Sequence, residues 1–346
     1  MMSAAASPRA AGLPLDALSA WARDRVDGLA GFVESRLIAA GRSNLTYLLT
    51  DSTGRRLVLR RPPLRIEAQG AHDVLREYRI LTALSATSPV RVPIPIAASE
   101  DNGPIDAPFY LMDFVDGVIV RDLDTAESLS QTARGRAGAA MIDELAVLHR
   151  VDPAAAGLET LGKPTGYLER NLRRWAVQVH ENAPCAADLI RLHTQLLKAM
   201  PAQQTTALIH GDYRLDNCVL SPEGGVLAVL DWELSTQGDP LVDLGWMVLY
   251  WQPSAELADI LPKGSGLPGF SPRDAIEGQY AAASGLDLSD LGYYVAFAAW
   301  RLAVITLGVQ GRYRAGEGAG DVVDAAELTR HVEILAATTA DQLRWQ

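Results

Sequence analysis

The feature that most constrains the fold is a change in the period of the apolar pattern at Asp116-Gly117. Before it, short apolar runs of strand length alternate with turn residues; after it, apolar residues recur at helical spacing over long stretches. NLTYLLT (44–50) and RLVLR (56–60) are joined by DSTG and predict a hairpin with a tight turn. Val74, Leu75, Tyr78, Leu81 and Leu84 predict a helix over 72–86, and Leu15, Leu18, Val26 and Leu29 predict an earlier one starting near Pro14 and Asp16. Further strands are expected around Ile94–Ala98 and in PFYLMDFV (108–115). Beyond Gly117, helices are expected over 137–150, 166–180 and 187–200, followed by a β-like insert, ALIHGDYRLDNCVLSPEGGVLAVLDWE (207–233), that turns at Gly224-Gly225. This order predicts an α+β chain: a mobile tail over 1–13, a small lobe over 14–116 and a larger helical lobe over 117–346.

Charge follows the same division. Residues 1–116 hold thirteen Arg against thirteen Asp plus Glu, so the whole formal charge of −11 falls on residues 117–346. An acidic lobe of this kind repels nucleic acid and anionic lipid, which argues against nucleic-acid partners. The longest apolar stretch, Leu291 to Val309, has the length of a membrane span but carries Arg301 at its centre, which is costly in lipid. It reads as a buried helix, and no membrane association is expected. Two cysteines, Cys185 and Cys218, make no disulfide framework or zinc site, and a reducing cytoplasm is the expected location.

The chemistry is concentrated in HGDYRLDN (210–217) and LDWE, which contains Asp231. Asp212 and Asn217 are five residues apart, and Asp231 follows fourteen later. Phosphoryl transfer needs one carboxylate to orient or accept the acceptor's hydroxyl proton, and oxygen ligands to hold Mg²⁺ against phosphates. Asp212, Asn217 and Asp231 offer all three. Further on, GDPLVDLGW (238–246) supplies Asp239 as a helix N-cap and Asp243 as a brace for the loop.

With these strings in place the chain resembles the aminoglycoside phosphotransferase family of kinase-fold small-molecule kinases, in which HGD stands where protein kinases have HRD. Among its branches, REYRIL, PFYLMDFVDG and FAAWRLAV look most like the kinase-like domains fused to some acyl-CoA dehydrogenases. The resemblance implies a bilobal protein-kinase-like fold and an ATP- and Mg²⁺-dependent transfer to a small-molecule hydroxyl, with GTP as a possible donor and a monomer or homodimer as the working form. It implies Asp212 as the base, Asn217 and Asp231 as metal ligands, and His210 as the residue that positions the loop. Ser43 and Asn44 of GRSNLTYLL would cover the phosphates. The chain has no lysine before Lys163, so the phosphate-facing cation of RLVLRR is an arginine, and strand alternation nominates Arg60, with Glu77 as its helix partner. Met112, Asp113 and Val115 would line the adenine site, largely through the backbone.

For the acceptor, the candidates are Arg301, Glu233 and Tyr280. Three readings stay open: an antibiotic kinase that uses acidic residues, a metabolic kinase of a hydroxy acid or hydroxyacyl thioester, and a non-catalytic nucleotide-binding regulator. No APE-like segment follows Asp231, which disfavours a protein kinase.

Overall fold

The computed structural model describes residues 13–40, 44–63, 73–100, 103–181, 183–314 and 324–344. Ser43 and the expected tail, apart from Leu13, lie outside these residues. The chain forms two compact units, one of residues 1–116 with 228–233 and one of residues 117–227 with 234–346. Residues 228–233, expected with the helical part, therefore pack with the first unit.

The first unit contains α1 (Leu15–Arg23), β1 (Phe32–Ala40), β2 (Leu45–Asp51), β3 (Arg56–Arg61), α2 (Val74–Thr87), β4 (Pro95–Ser99) and β5 (Phe109–Asp113). Its antiparallel sheet has the order β1-β2-β3-β5-β4. The β2–β3 turn is closed by Asp51, which accepts hydrogen bonds from the Thr53 hydroxyl, the Thr53 N–H and the Arg55 N–H. Strand alternation sends Leu57 and Leu59 into a core with Leu18, Leu49, Phe109 and Leu111. Val58 and Arg60 thereby face the other side, where Arg60 stands opposite Tyr110. Helix α2 packs against β4 and β5 and buries Val74, Glu77, Leu81 and Leu84 along one stripe. A carboxylate thus sits in an otherwise apolar face.

Two expectations change here. Strand β1 was not anticipated, because it is an edge strand whose register shifts twice against β2 and so breaks the period of two. Helix α1 ends at Arg23; Val26 and Leu29 belong to the turn that follows, where Gly28 adopts φ +70°.

The second unit is mostly helical, with α3 (Leu123–Glu127), α4 (Gln131–His149), α5 (Tyr167–Ala176) and α6 (Ala186–Lys198) before the insert. Helix α4 starts at Gln131 under a Ser130 cap, earlier than expected. In the insert, β6 (Ala207–Ile209) pairs with β9 (Thr236–Gly238), while β7 (Cys218–Leu220) and β8 (Val226–Val229) form a hairpin. Helices α7 (Leu241–Tyr250), α8 (Arg273–Ser284), α9 (Leu291–Arg314) and α10 (Ala325–Arg344) complete it. Leu291–Gly311 is long and apolar enough to cross a membrane, but 72% of its window is buried, and α9 packs against α6, α7 and α10 as a core helix. Gly245 permits the close α7–α9 approach, since a Cβ there would lie 2.6 Å from that of Tyr294.

Candidate functional site

In the first unit, the face of β3 opposite the α1 core brings Arg60 to two carboxylates. Its Nη1 lies 3.1 Å from Glu77 Oε1 and its Nη2 lies 2.9 Å from Asp231 Oδ1. Burial disfavours the guanidinium, but Glu77 and Asp231 overcome it and hold Arg60 above its ordinary value. Burial likewise pushes the Glu77 carboxyl up, against the pull of Arg60. Glu77 Oε1 also accepts the backbone N–H of Trp232 at 3.1 Å, so one carboxylate fixes both the cation and the LDWE turn. Asp231 itself has φ +67°, a left-handed conformation uncommon for a side chain larger than glycine and frequent at functional sites. Asn44 Nδ2 donates to Glu233 Oε2 at 3.1 Å, and Arg76 donates to the Glu233 carbonyl at 2.9 Å.

In the second unit, the loop after β6 carries Asp212. Gly211 has φ +85°, and a Cβ there would sit 2.8 Å from the Leu234 carbonyl oxygen, so this position requires glycine. Asp243, at the start of α7, accepts the N–H groups of His210 at 2.6 Å and Gly211 at 2.7 Å. His149 Nε2 lies 3.2 Å from the same carboxylate, and its Nδ1 lies 2.7 Å from the Tyr280 hydroxyl. Burial would raise the Asp243 carboxyl, but His149 and the loop N–H groups hold it below its ordinary value. His210 is fully buried and its Nδ1 accepts the Asp212 N–H at 3.2 Å.

The Asp212 carboxylate is held at both oxygens. Oδ1 accepts Trp246 Nε1–H at 2.6 Å and Arg214 Nε–H at 3.1 Å; Oδ2 accepts Asn217 Nδ2–H at 2.9 Å. Arg214 also reaches Asp216 at 2.6 Å, and its guanidinium lies 5.1 Å above the Tyr250 ring. Beside Arg214 and Tyr250 lies a cavity of about 220 Å³, lined further by Leu261, Leu302, His331 and Leu335.

Two acceptor candidates lie buried in the second unit. Tyr280 is fully buried with its hydroxyl spent on His149, so it belongs to the support of the loop. Arg301 is 4% exposed and donates from Nη2 to the Gly211 carbonyl at 3.0 Å, with its guanidinium 4.5 Å from the Trp246 ring centre. Glu233 groups with Asn44 and Arg76 in the first unit. Met112 is buried, and the Asp113 N–H bonds the Ile94 carbonyl. Trp246, Arg214 and Arg76 went unassigned in the sequence; a tryptophan inside an apolar helix carries no signal that separates it from core.

Asn217, in the second unit, turns its nitrogen to Asp212, so its Oδ1 stays outside those bonds; Asp231, in the first unit, bonds Arg60 through Oδ1; each carries side-chain oxygen of the kind a hard divalent cation takes. Among the described residues no three His, Cys, Asp or Glu side chains converge into a group that could hold a metal ion.

Residues 34–276 match the phosphotransferase enzyme family. A solved structure from Ralstonia eutropha, whose assignment as an aminoglycoside phosphotransferase is itself provisional, is 31% identical with a TM-score of 0.78, covering 95% of this chain and 97% of that one. The GDP complex of an aminoglycoside 2′-phosphotransferase shares the fold at 17% identity and TM-score 0.62, over 94% of this chain and 98% of that one. Mouse acyl-CoA dehydrogenase family member 10 is 34% identical over 86% of this chain and 28% of its own length. Chicken family member 11 is 34% identical over 89% of this chain and 40% of its own length. The chain thus spans well under half of these curated relatives. It belongs to the phosphotransferase enzyme family and has its kinase-like fold.

Proposed function

We propose that this chain moves the γ-phosphoryl group of Mg·ATP to a hydroxyl of a small molecule. The observation that carries the reading is the Asp212 carboxylate, held by Trp246, Arg214 and Asn217 on a loop braced by Asp243. In the step, the acceptor oxygen bonds to Pγ while the bond from Pγ to the β–γ bridging oxygen breaks. That electron pair leaves on ADP, and the hydroxyl proton passes to Asp212. Asn217 and Asp231 would hold Mg²⁺, which when bound neutralises charge on the phosphate oxygens. Arg60, fixed by Glu77, grips phosphate; Asn44 covers it; Met112, Asp113 and Val115 receive the base. The GDP complex of the structural neighbour keeps GTP as an alternative donor. Reaction in solution in the cytoplasm accords with this chemistry.

A non-cationic acceptor is favoured over an aminoglycoside by one observation. The cavity beside Arg214 and Tyr250 is walled mainly by aliphatic side chains and has no carboxylate among its described lining residues, whereas a polycationic drug calls for acids. A hydroxy acid or hydroxyacyl thioester fits better, and the names of the acyl-CoA dehydrogenase relatives accord with it. ADP release from Mg·ATP over a panel of aminoglycosides, sugars, hydroxy acids and hydroxyacyl thioesters tests both points. Turnover with one class, lost in Asp212→Asn, is expected. ATP binding without turnover on any acceptor would instead favour a nucleotide-binding regulator. Leu261→Trp, which fills the cavity, is expected to raise the KM of the acceptor and leave that of ATP unchanged.

A further inference from the structure

Among the described residues, Oδ1 of Asp212 takes two hydrogen bonds, from Trp246 and Arg214, whereas Oδ2 takes one, from Asn217. A carboxylate oxygen offers about two in-plane lone pairs, so Oδ1 is filled and Oδ2 keeps one open. Of the two donors on Oδ1, Arg214 divides its guanidinium between Asp212 and Asp216, while the Trp246 indole is a rigid plate only 4% exposed.

That plate is held by an unusual neighbour. Arg301 is a buried cation whose Nε and Nη1 have no hydrogen-bond partner among the described residues, a costly arrangement in a protein core. Its side chain donates to the carbonyl of Gly211, the residue before Asp212, and its charge rests over the Trp246 ring at 4.5 Å. A cation on the ring face draws electron density from the indole and makes its N–H a stronger donor. The same guanidinium therefore fixes the backbone entering Asp212 and the ring that holds its side chain.

We propose that Trp246, seated by Arg301, is a positioning residue for phosphoryl transfer: its N–H occupies Oδ1 of Asp212 and leaves Oδ2 as the oxygen that receives the acceptor's proton. This rests on Asp212 acting as the acceptor-facing carboxylate, and so deepens the reading above. The arrangement lets Asp212 turn neither oxygen freely, which presents the reactive lone pair in one orientation.

The test uses the intact chain with Mg·ATP, taking water as the acceptor, together with spectra of the indole N–H groups. Trp246→Phe keeps an aromatic plate and removes only the donor; Arg301→Lys keeps the charge and loses the fork. Trp175→Phe, on α5, controls for loss of any indole among the seven tryptophans. Trp246→Phe is expected to lower kcat for ADP release about tenfold with the KM for ATP within about twofold. Arg301→Lys should fall between it and wild type, and Trp175→Phe should match wild type. The indole resonance lost in Trp246→Phe is expected downfield in wild type and displaced in Asp212→Asn. A kcat unchanged in Trp246→Phe, a fall matched by weaker ATP binding and lower melting temperature, or an indole resonance indifferent to Asp212→Asn would each overturn the proposal. If wild type releases no ADP with water or with any hydroxyl of the panel above, the phosphotransfer reading fails, and the indole resonance alone decides whether the brace exists.

Discussion

Arg60 and Asp231 lie 2.9 Å apart, and the same guanidinium reaches Glu77 at 3.1 Å. A lysine, with one ammonium nitrogen, would have to serve both carboxylates from a single point; the arginine fork serves each with its own nitrogen. The absence of lysine from this part of the chain is thus matched by a geometry that uses what arginine adds.

Replacing Arg60 separates charge from shape. Arg60→Lys is expected to fold and to raise the KM for ATP about tenfold, since it cannot hold Glu77 and Asp231 together. Arg60→Met leaves Glu77 buried without a cation and is expected to cost about 3–5 kcal/mol of stability. Thermal melting and ATP titration read the two effects separately; equal melting temperatures for both variants would contradict the account.

Asp243 supports the loop through two backbone donors and His149. In Asp243→Asn one oxygen becomes an NH₂ group facing an N–H, so a loss of about 2–3 kcal/mol is expected, with ADP release falling alongside. Chemical denaturation checks the first and a coupled ADP assay the second. Full stability with full activity would show that the loop holds itself.

Gly211→Ala places a Cβ against the Leu234 carbonyl in a left-handed backbone. A cost of about 1–3 kcal/mol is expected, with activity reduced even at temperatures where the variant stays folded. Normal turnover in a folded Gly211→Ala would show that the loop conformation is not needed for transfer.

Acid sensitivity is expected at the β2–β3 turn. The Thr53 hydroxyl, opposed by burial and aided by the N–H groups of Ala30, Thr53 and Arg55, lowers the Asp51 carboxyl from 3.8 to about 2. Its folded value lies below its unfolded one, so this stabilisation is complete above its ordinary value of 3.8 and disappears as pH falls toward about 2. Urea midpoints of wild type and Asp51→Asn should differ by a constant amount above that range and converge below it. A gap that persists to pH 2 would refute the assignment.

The β2–β3 hairpin, α2 and the HGDYRLDN string were legible because turn chemistry, helical period and motif spacing are local signals. Strand β1 was hidden by its bulges, and the early start of α4 by a largely polar first turn followed by Gly135. The partner of Arg301 was illegible for a different reason: a buried charge predicts a carboxylate, whereas this one rests on a carbonyl and a ring face. Trp246 was hidden in the same way, since only the fold shows that its N–H meets Asp212.

The most direct test of the central claim is transfer of label from γ-³²P-ATP to the acceptor that supports ADP release, run with wild type and Asp212→Asn at matched ATP occupancy. Labelled acceptor from wild type, with a rate at least about a hundredfold lower in Asp212→Asn, is the result this account predicts. Label that stays in ATP and inorganic phosphate with every hydroxyl offered, or equal transfer by both proteins, would contradict it.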